Sequence, residues 1–146
     1  MILNSAELAA NGVEGNWAFG FKDTVRFRDL DSYNHVNNVV YHSWFEDIRV
    51  LFFEELNLKV TNQSDIMFVM RAADISFNEQ MAFGDTYHVL MRPVKLGNSS
   101  FTIEYAVQRD GSDVVTGSSV VVLSDIKAGA AVSIPDDARQ RISAYL

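Results

Sequence analysis

The chain has 146 residues, of which 48% are apolar and 21% are charged, and this composition excludes a disordered or low-complexity protein. Its formal net charge of −7 provides no overall basic field, so we expect neither nucleic acid nor an anionic membrane as a partner. The absence of cysteine excludes disulfides and thiolate chemistry and fits a reducing compartment. Because no secretory signal or membrane span is recognisable, we expect a cytoplasmic protein.

The N-terminal part of the chain predicts a leader followed by a strand. Residues 1–16 are rich in Ala, Asn, Gly and Glu and show little periodicity, so we expect a flexible leader, with at most a short helix, before a single domain over residues 17–146. Residues 17–28 contain a β-rich run in which apolar and polar side chains mostly alternate. The apolar positions of this predicted strand are Phe19, Phe21, Val25 and Phe27.

A long amphipathic helix is predicted over residues 36–56. Its apolar residues recur at helical spacing, at Val40, Tyr41, Trp44, Phe45, Ile48, Leu51, Phe52 and Leu56. They form a broad arc, wider than the stripe of a helix that lies on a flat sheet. The rest of the chain must therefore wrap around this helix.

Four further strands are predicted near residues 66–77, 86–96, 99–109 and 113–124, and a short helix after Pro135. The clearest alternation is in FTIEYAVQ, where Phe101, Ile103, Tyr105 and Val107 face the core and the intervening residues face a wetter side. We therefore predict an α+β fold in which strands in antiparallel succession curve around the long helix.

Polar residues are concentrated between the first strand and the long helix, in DLDSYNHVNNVVY, residues 29–41. Free backbone N–H groups at a helix start suit a developing oxyanion, and a carboxylate a few residues upstream can lie opposite them. That pair is a minimal acyl-transfer site. For an arbitrary junction of this kind, the commoner alternative is an N-cap with polar turn residues.

The pattern D-x-D-x-x-x-H-V-N-N-x-x-Y, followed by an aromatic and acidic helix, resembles the hotdog-fold thioesterases of the 4-hydroxybenzoyl-CoA thioesterase type. The segments ISFNEQMAFGDTYHV, DGSDVVTGSSVVVLSD and VSIPDDARQRI are similar too, so the resemblance covers roughly residues 19–142. It implies a hotdog fold, a five-stranded antiparallel sheet wrapped around a long central helix. It also implies hydrolysis of acyl thioesters, commonly of coenzyme A, with water as the second substrate and no cofactor.

The resemblance also assigns roles to residues of the motif. Asp31 matches the catalytic carboxylate, as nucleophile or general base, and Asn38 matches the position whose backbone N–H polarises the thioester carbonyl. His35 and Asn37 belong to the H-V-N-N variant, where they are expected to orient Asp31, water or the acyl group. Tyr41 closes the motif, and we expect it to contact the substrate.

Two departures bear on the substrate and on the loop. The motif is also similar to that of plant-type acyl-ACP thioesterases, which carry an Asn two residues after the Asp, whereas this chain has Tyr33. The departure favours acyl-CoA, with an acyl-ACP thioesterase or a non-catalytic acyl-binding subunit as alternatives. Many relatives place Gly before the His, and Asn34 is the non-glycine type that best tolerates positive φ.

Other polar residues are weaker candidates. We expect Asp29 to be a solvated carboxylate rather than a second catalytic acid. Arg71, Arg92 and Lys95 are candidates for holding the phosphates of CoA, with ordinary surface charge as the alternative. The three histidines are scattered, so no metal site is expected. An open edge strand predicts self-association as a homodimer or homotetramer.

Overall fold

One antiparallel sheet wraps around a long helix in the computed structural model, which describes residues 2–58 and 65–146. In chain order the elements are β1 (Leu3–Asn4), α1 (Ser5–Ala10), β2 (Phe19–Thr24), a 3₁₀ turn (Phe27–Asp29), α2 (Asn38–Glu55), β3 (Ile66–Phe77), β4 (Thr86–Leu96), β5 (Ser100–Arg109), β6 (Ser112–Asp125), β7 (Ala130–Ala131) and α3 (Asp136–Ser143).

The sheet has seven strands in the described residues, two more than the five predicted. The additional strands, β1 and β7, have two residues each, which is too short to produce a periodic pattern in the sequence. The order across the sheet is β1-β2-β4-β5-β6-β3, with β7 beside β6. The predicted antiparallel succession is therefore wrong for β3, which pairs with β6 and not with β4. This pairing brings β3 round the helix to the far side of the sheet from β2.

The long helix is confirmed, and its apolar arc forms the core. Ile48 and Phe52 of α2 are completely buried, which stabilises the fold by roughly 1.5–3 kcal/mol for each side chain. Two other aromatic residues of α2 stack face to face on residues of the sheet. The ring centroids are 4.2 Å apart for Trp44 and Tyr87, and 4.7 Å apart for Phe45 and Tyr105. These contacts fix how far α2 can slide along the sheet.

Residues 2–16, where a flexible leader is expected from the sequence, lie against the outer face of the sheet. A small second core forms there from Leu8, Val13, Trp17, Leu90 and Ala106. Leu8 is only 1% exposed. This packing is hard to predict from the sequence, because only a few separated apolar residues of the segment contact the sheet. The sheet residues that they cover lie far along the chain.

Residues 2–16 also change the burial of side chains on one side of β5. Phe101, Ile103, Tyr105 and Val107 are buried, as predicted. On the opposite side Thr102 and Glu104 are half-exposed, but Ala106 and Gln108 are buried. Gln108 is satisfied in this position, since its amide accepts from the backbone N–H of Glu14 at 3.0 Å and donates to Asp113 at 2.9 Å.

The predicted first strand ends early, because β2 stops at Thr24 and the chain turns out of the sheet. The backbone N–H of Val25 donates to the carbonyl of Asp85, and a 3₁₀ turn follows at once. Phe27, predicted to face the core, is consequently 78% exposed.

The predicted terminal helix is confirmed as α3, with Pro135 as its N-cap. Among the helices of the described residues, none combines the length and the apolar character needed to cross a membrane.

Candidate active site at the start of α2

The loop between the 3₁₀ turn and α2 is a tight, hydrogen-bonded structure. Leu30 and Val36 form an antiparallel bridge, and inside it the N–H of Asp31 donates to the carbonyl of His35 at 3.0 Å. The loop reverses at Asn34, whose φ is 62° and whose N–H donates to the Asp31 carbonyl at 3.1 Å. The left-handed conformation expected at Asn34 is confirmed. It brings Asp31 and His35 side by side.

Two backbone hydrogen bonds fasten this loop to its surroundings. Val36 donates to the carbonyl of Met81 at 2.9 Å, and Asn37 donates to the carbonyl of Asp29 at 2.9 Å. Asp29 is 8% exposed, and its carboxylate accepts from the N–H of Arg26 at 2.8 Å, so the expectation of a solvated carboxylate was wrong. Asp29 holds the loop and the start of α2 in register.

The first turn of α2 leaves one amide available. The side chain of the N-cap residue Asn37 accepts from the N–H of Val39 at 3.0 Å, and the Asn37 carbonyl accepts from Val40 at 2.9 Å. Within the described ranges, no acceptor is hydrogen-bonded to the N–H of Asn38. This amide is at the positive end of the helix dipole, where it can bind an anion or a polarised carbonyl oxygen.

A cavity of about 540 Å³ opens at this point. It is lined by Asp31, Tyr33, His35, Val36, Asn38, Tyr41, Phe77, Asn78, Glu79 and Gln80. Asp31 is half-buried and accepts from the backbone N–H of Tyr33 at 2.9 Å. The Nδ1 atom of His35 is buried and has no hydrogen-bond partner in the described part of the chain. A carboxylate, an imidazole and a free helix amide therefore share one cavity.

Tyr41 forms an apolar wall of the cavity. Its ring lies 5.1 Å from that of Trp44 and 5.9 Å from that of Phe77. The pKa of the Tyr41 hydroxyl is raised to about 12, mainly by burial, with Arg109 lowering it and the nearby Asp85 raising it. The hydroxyl is neutral at physiological pH, so Tyr41 can pack against an acyl group or donate a hydrogen bond.

The loop after β3 forms the opposite wall, and Arg109 holds it. The guanidinium donates to the carboxylate of Asp85 at 2.8 Å and to the carbonyl of Gln80 at 3.0 Å. The backbone N–H of Ala82 and the Arg109 side chain hold the pKa of Asp85 below its usual value, and Asp85 raises the pKa of Arg109. The wall is thus fixed by an ion pair about one-quarter exposed on each side.

The structure brings together five of the predicted residues, since Asp31, His35, Asn38 and Tyr41 line the cavity and Asn37 caps the helix beside it. Arg71, Arg92 and Lys95 do not line it. Arg92 lies on the outer face, where it donates to Glu104 at 3.0 Å and to the carbonyl of Asn16 at 2.9 Å and covers the ring of Trp17.

The wall formed by Phe77, Asn78, Glu79 and Gln80 was not predicted from the sequence. The available signal was the polar run after a predicted strand, but which strand end would lie beside α2 depends on the β3–β6 pairing.

No group of three His, Cys, Asp or Glu side chains in residues 2–58 and 65–146 is arranged to hold a metal ion.

A family model described as the thioesterase-like superfamily matches residues 25–142. The match begins directly after β2 and includes the motif loop, α2 and the long strands β3, β4, β5 and β6. The expected hotdog fold is confirmed in its antiparallel sheet and central helix, with seven strands in residues 2–58 and 65–146 in place of five.

Similar proteins cover nearly the whole chain. A crystal structure of a thioesterase-superfamily protein from Jannaschia sp. CCS1 is 29% identical, with a TM-score of 0.87 over 97% of this chain and 91% of that one. A thioesterase from Thermus thermophilus, solved with coenzyme A and Zn, is 30% identical, with a TM-score of 0.74 over 86% of this chain and 91% of that one. The uncharacterized protein YsmA of Bacillus subtilis is 27% identical over 87% of this chain and 86% of its own length.

Proposed function

This chain belongs to the thioesterase-like superfamily, and we propose that it hydrolyses an acyl thioester, with acyl-CoA as the substrate, in the cavity at the start of α2. The observation that carries the proposal is the free N–H of Asn38 in a cavity that also contains Asp31. The two groups supply what thioester hydrolysis needs, a donor for the oxyanion and a carboxylate for the attack.

In the proposed reaction the thioester carbonyl oxygen accepts from the N–H of Asn38, so that negative charge on the tetrahedral oxygen develops at the positive end of α2. Asp31 either deprotonates the attacking water or attacks the carbonyl carbon itself and is released by water. In both routes the carbon–sulfur bond breaks, the acid takes the oxygen of water, and the thiolate leaves and takes a proton.

The neighbouring residues have supporting roles in this proposal. The Asn37 side chain accepts a hydrogen bond from the N–H of Val39, and the N–H of Asn38 remains the free donor. His35 offers an unpartnered ring nitrogen beside Asp31, which suits it to orient water or the carboxylate. Tyr41 contributes a neutral wall against the acyl group.

Coenzyme A is the proposed carrier because the Thermus thermophilus relative was solved with it at 30% identity. The roles of Arg71, Arg92 and Lys95 at the CoA phosphates stay predictions. Arg71 and Lys95 are exposed and can reach a ligand, whereas the contacts of Arg92 favour a structural role.

We also propose that the protein is a homodimer or homotetramer. In the described residues β3 is paired on one side by β6, and its other edge carries no strand. Met67, Met70 and Phe77 of β3 are each more than 40% exposed. An open edge with apolar side chains is suited to pairing with a second copy. Light scattering should give a multiple of the chain mass at micromolar concentration, and a monomer with intact activity would contradict the proposal.

The function is tested by measuring released thiol over matched sets of acyl-CoA and acyl-ACP substrates. Turnover of acyl-CoA above that of the same acyl group on the carrier protein is expected. Preference for the carrier protein would reassign the donor. Tight binding of a thioether analogue without turnover of any thioester would indicate a non-catalytic acyl-binding subunit.

A further inference from the structure

A second cavity, of about 200 Å³, follows the first along the cleft between α2 and β3. Its lining includes His42, Phe45, Arg49, Asp74, Tyr105 and Ser119. On α2, His42 comes directly after Tyr41 of the first cavity, and on β3 Ile75 precedes Phe77 by two residues. The two cavities are therefore neighbours along α2 and β3.

Arg49 differs from the other groups in this cavity, because its long side chain is only slightly exposed and makes few contacts with the protein. Its side chain is 13% exposed. Within the described residues, the guanidinium makes one hydrogen bond, from Nη1 to the hydroxyl of Tyr105 at 3.1 Å, and Glu46 lies 3.9 Å from Nη2. Arginine has five N–H donors and cannot accept. Several donors therefore remain for a ligand in the cavity.

The neighbouring hydroxyls add to this excess of donors. The hydroxyls of Tyr105 and Ser119 are 2.7 Å apart, and both residues are 2% exposed. Because Arg49 can only donate to Tyr105, the single proton of Tyr105 is free to be donated to Ser119. The proton of Ser119 then has no partner within this chain of hydrogen bonds. Among the described residues, one hydroxyl proton at this end of the cavity is therefore left for a ligand.

The charges at the rim decide which kind of acceptor fits. Glu46 and Asp74 both line the cavity, and Asp74 accepts from the hydroxyl of Ser118 at 2.9 Å. Two carboxylates beside one guanidinium disfavour an anionic ligand, because like charges at short range repel. An uncharged oxygen that only accepts, such as the oxygen of a ketone, suits the remaining donors.

The position of Arg49 relates this acceptor to the thioester. Asn38 and Arg49 are eleven residues apart on α2, which corresponds to an axial distance of about 16 Å at 1.5 Å per residue. The long Arg49 side chain leans back toward the start of the helix and shortens the gap to be spanned. An extended acyl group with its carbonyl at Asn38 would bring its far end to the second cavity.

We propose that Arg49 is a specificity-determining residue, which together with Ser119 selects acyl thioesters that carry an uncharged oxygen acceptor at the far end of the acyl group. The inference rests on the proposed thioester hydrolysis. In this arrangement the thioester is hydrolysed in the first cavity, and the far end of the acyl group is bound in the second.

The test compares decanoyl-CoA with the same thioester carrying a ketone next to its terminal methyl group, together with the corresponding terminal alcohol and terminal carboxylate. We expect kcat/KM for the ketone to exceed that for decanoyl-CoA by about 10-fold or more, since a site built to donate to an oxygen rejects a ligand without one. An equal kcat/KM for the two would overturn the specificity while leaving the proposed hydrolysis intact. A preference for the carboxylate or the alcohol would overturn the assignment of a neutral acceptor.

The variants separate recognition from packing. Arg49→Met should reduce the ketone preference to within about threefold, because only the lost hydrogen bonds distinguish the substrates. An equal loss for both substrates would mean that Arg49 is structural. Arg139→Met, which removes a guanidinium on α3 bonded to the carbonyl of Asn98, is the matched control and should retain the preference.

Two measurements keep the inference independent of folding and of turnover. If Arg49→Met does not fold, Ser119→Ala removes a single hydroxyl from the same cavity and should also reduce the preference. If no thioester is hydrolysed, the proposed function fails, and the Kd values of the corresponding thioether analogues decide the inference. Tighter binding of the ketone analogue by the native chain supports it, and equal Kd values refute it.

Discussion

Buried polar side chains lie both in the cleft between α2 and β3 and on the outer face beneath residues 2–16. Only on the outer face do most of them have hydrogen-bond partners among the described residues. On the outer face, Gln108 makes three hydrogen bonds to Glu14 and Asp113. In the cleft, Arg49 makes one hydrogen bond among the described residues, and the amide of Asn38 makes none. Donors without a protein partner remain available to a ligand, so the cleft retains a capacity for ligands that the outer face has used for stability.

The largest effect is expected from changing Asp31 in the cleft. Asp31→Asn keeps an oxygen that can accept from Tyr33 but removes the negative charge, so we expect kcat to fall at least about 100-fold with little change in unfolding free energy. The thiol-release assay and denaturant unfolding measure the two quantities. Asp110→Asn, in a turn with φ of 53°, is the matched control away from the cavity. A folded Asp31→Asn protein that retained half of its activity would show that Asp31 is not the catalytic carboxylate.

Arg92 tests the other side of the comparison. Arg92→Met removes an ion pair with Glu104, a hydrogen bond to Asn16 and a cation–π contact with Trp17, and we expect a loss of about 1–2 kcal/mol in unfolding free energy. If the outer face is structural, KM for acyl-CoA should change little. A KM increase without loss of stability would instead support the predicted contact between Arg92 and the CoA phosphates, and Lys95→Met provides the comparison on the same strand.

A smaller effect is expected in the loop that leads into α2. Asn34 has a φ of 62°, which Ala tolerates less well than Asn, so Asn34→Ala should lower the unfolding free energy by about 0.5–1 kcal/mol. Asn34→Gly should be close to neutral, since Gly adopts this conformation readily. Denaturant unfolding of the pair measures the difference. Equal destabilisation by Ala and Gly would mean that the side chain, and not the backbone conformation, is what matters.

His88 is an exception on the outer face, because its Nε2 is buried and, among the described residues, has no hydrogen-bond partner. Burial lowers the pKa of His88, and Lys22 lowers it further. The folded state therefore binds a proton less readily than the unfolded state, so its stability is full above the ordinary histidine pKa and decreases as the pH falls through and below it. Between about pH 7.5 and pH 5.5, the native chain should lose more unfolding free energy than His88→Gln. Equal losses would show that His88 does not titrate differently in the folded state.

The long helix and the motif loop could be predicted because their signals are local. Apolar residues at helical spacing determine α2, and a short stretch containing Asp31, Asn34 and Asn37 contains the carboxylate, the reversal and the helix cap. Each of these depends on neighbours within a few residues, so the residue types alone specify the structure.

The remaining features depend on contacts between residues far apart in the chain. Strand alternation predicts that β3 exists but not that it pairs with β6, and this pairing creates the cleft with α2. The burial of Gln108 and the structural contacts of Arg92 arise because residues 2–18 cover the outer face. The sequence by itself determined the long helix, the five longer strands and the loop before α2. Tertiary structure decided which polar groups are satisfied, because partners such as Arg49 and Tyr105 are 56 residues apart and only folding brings them together.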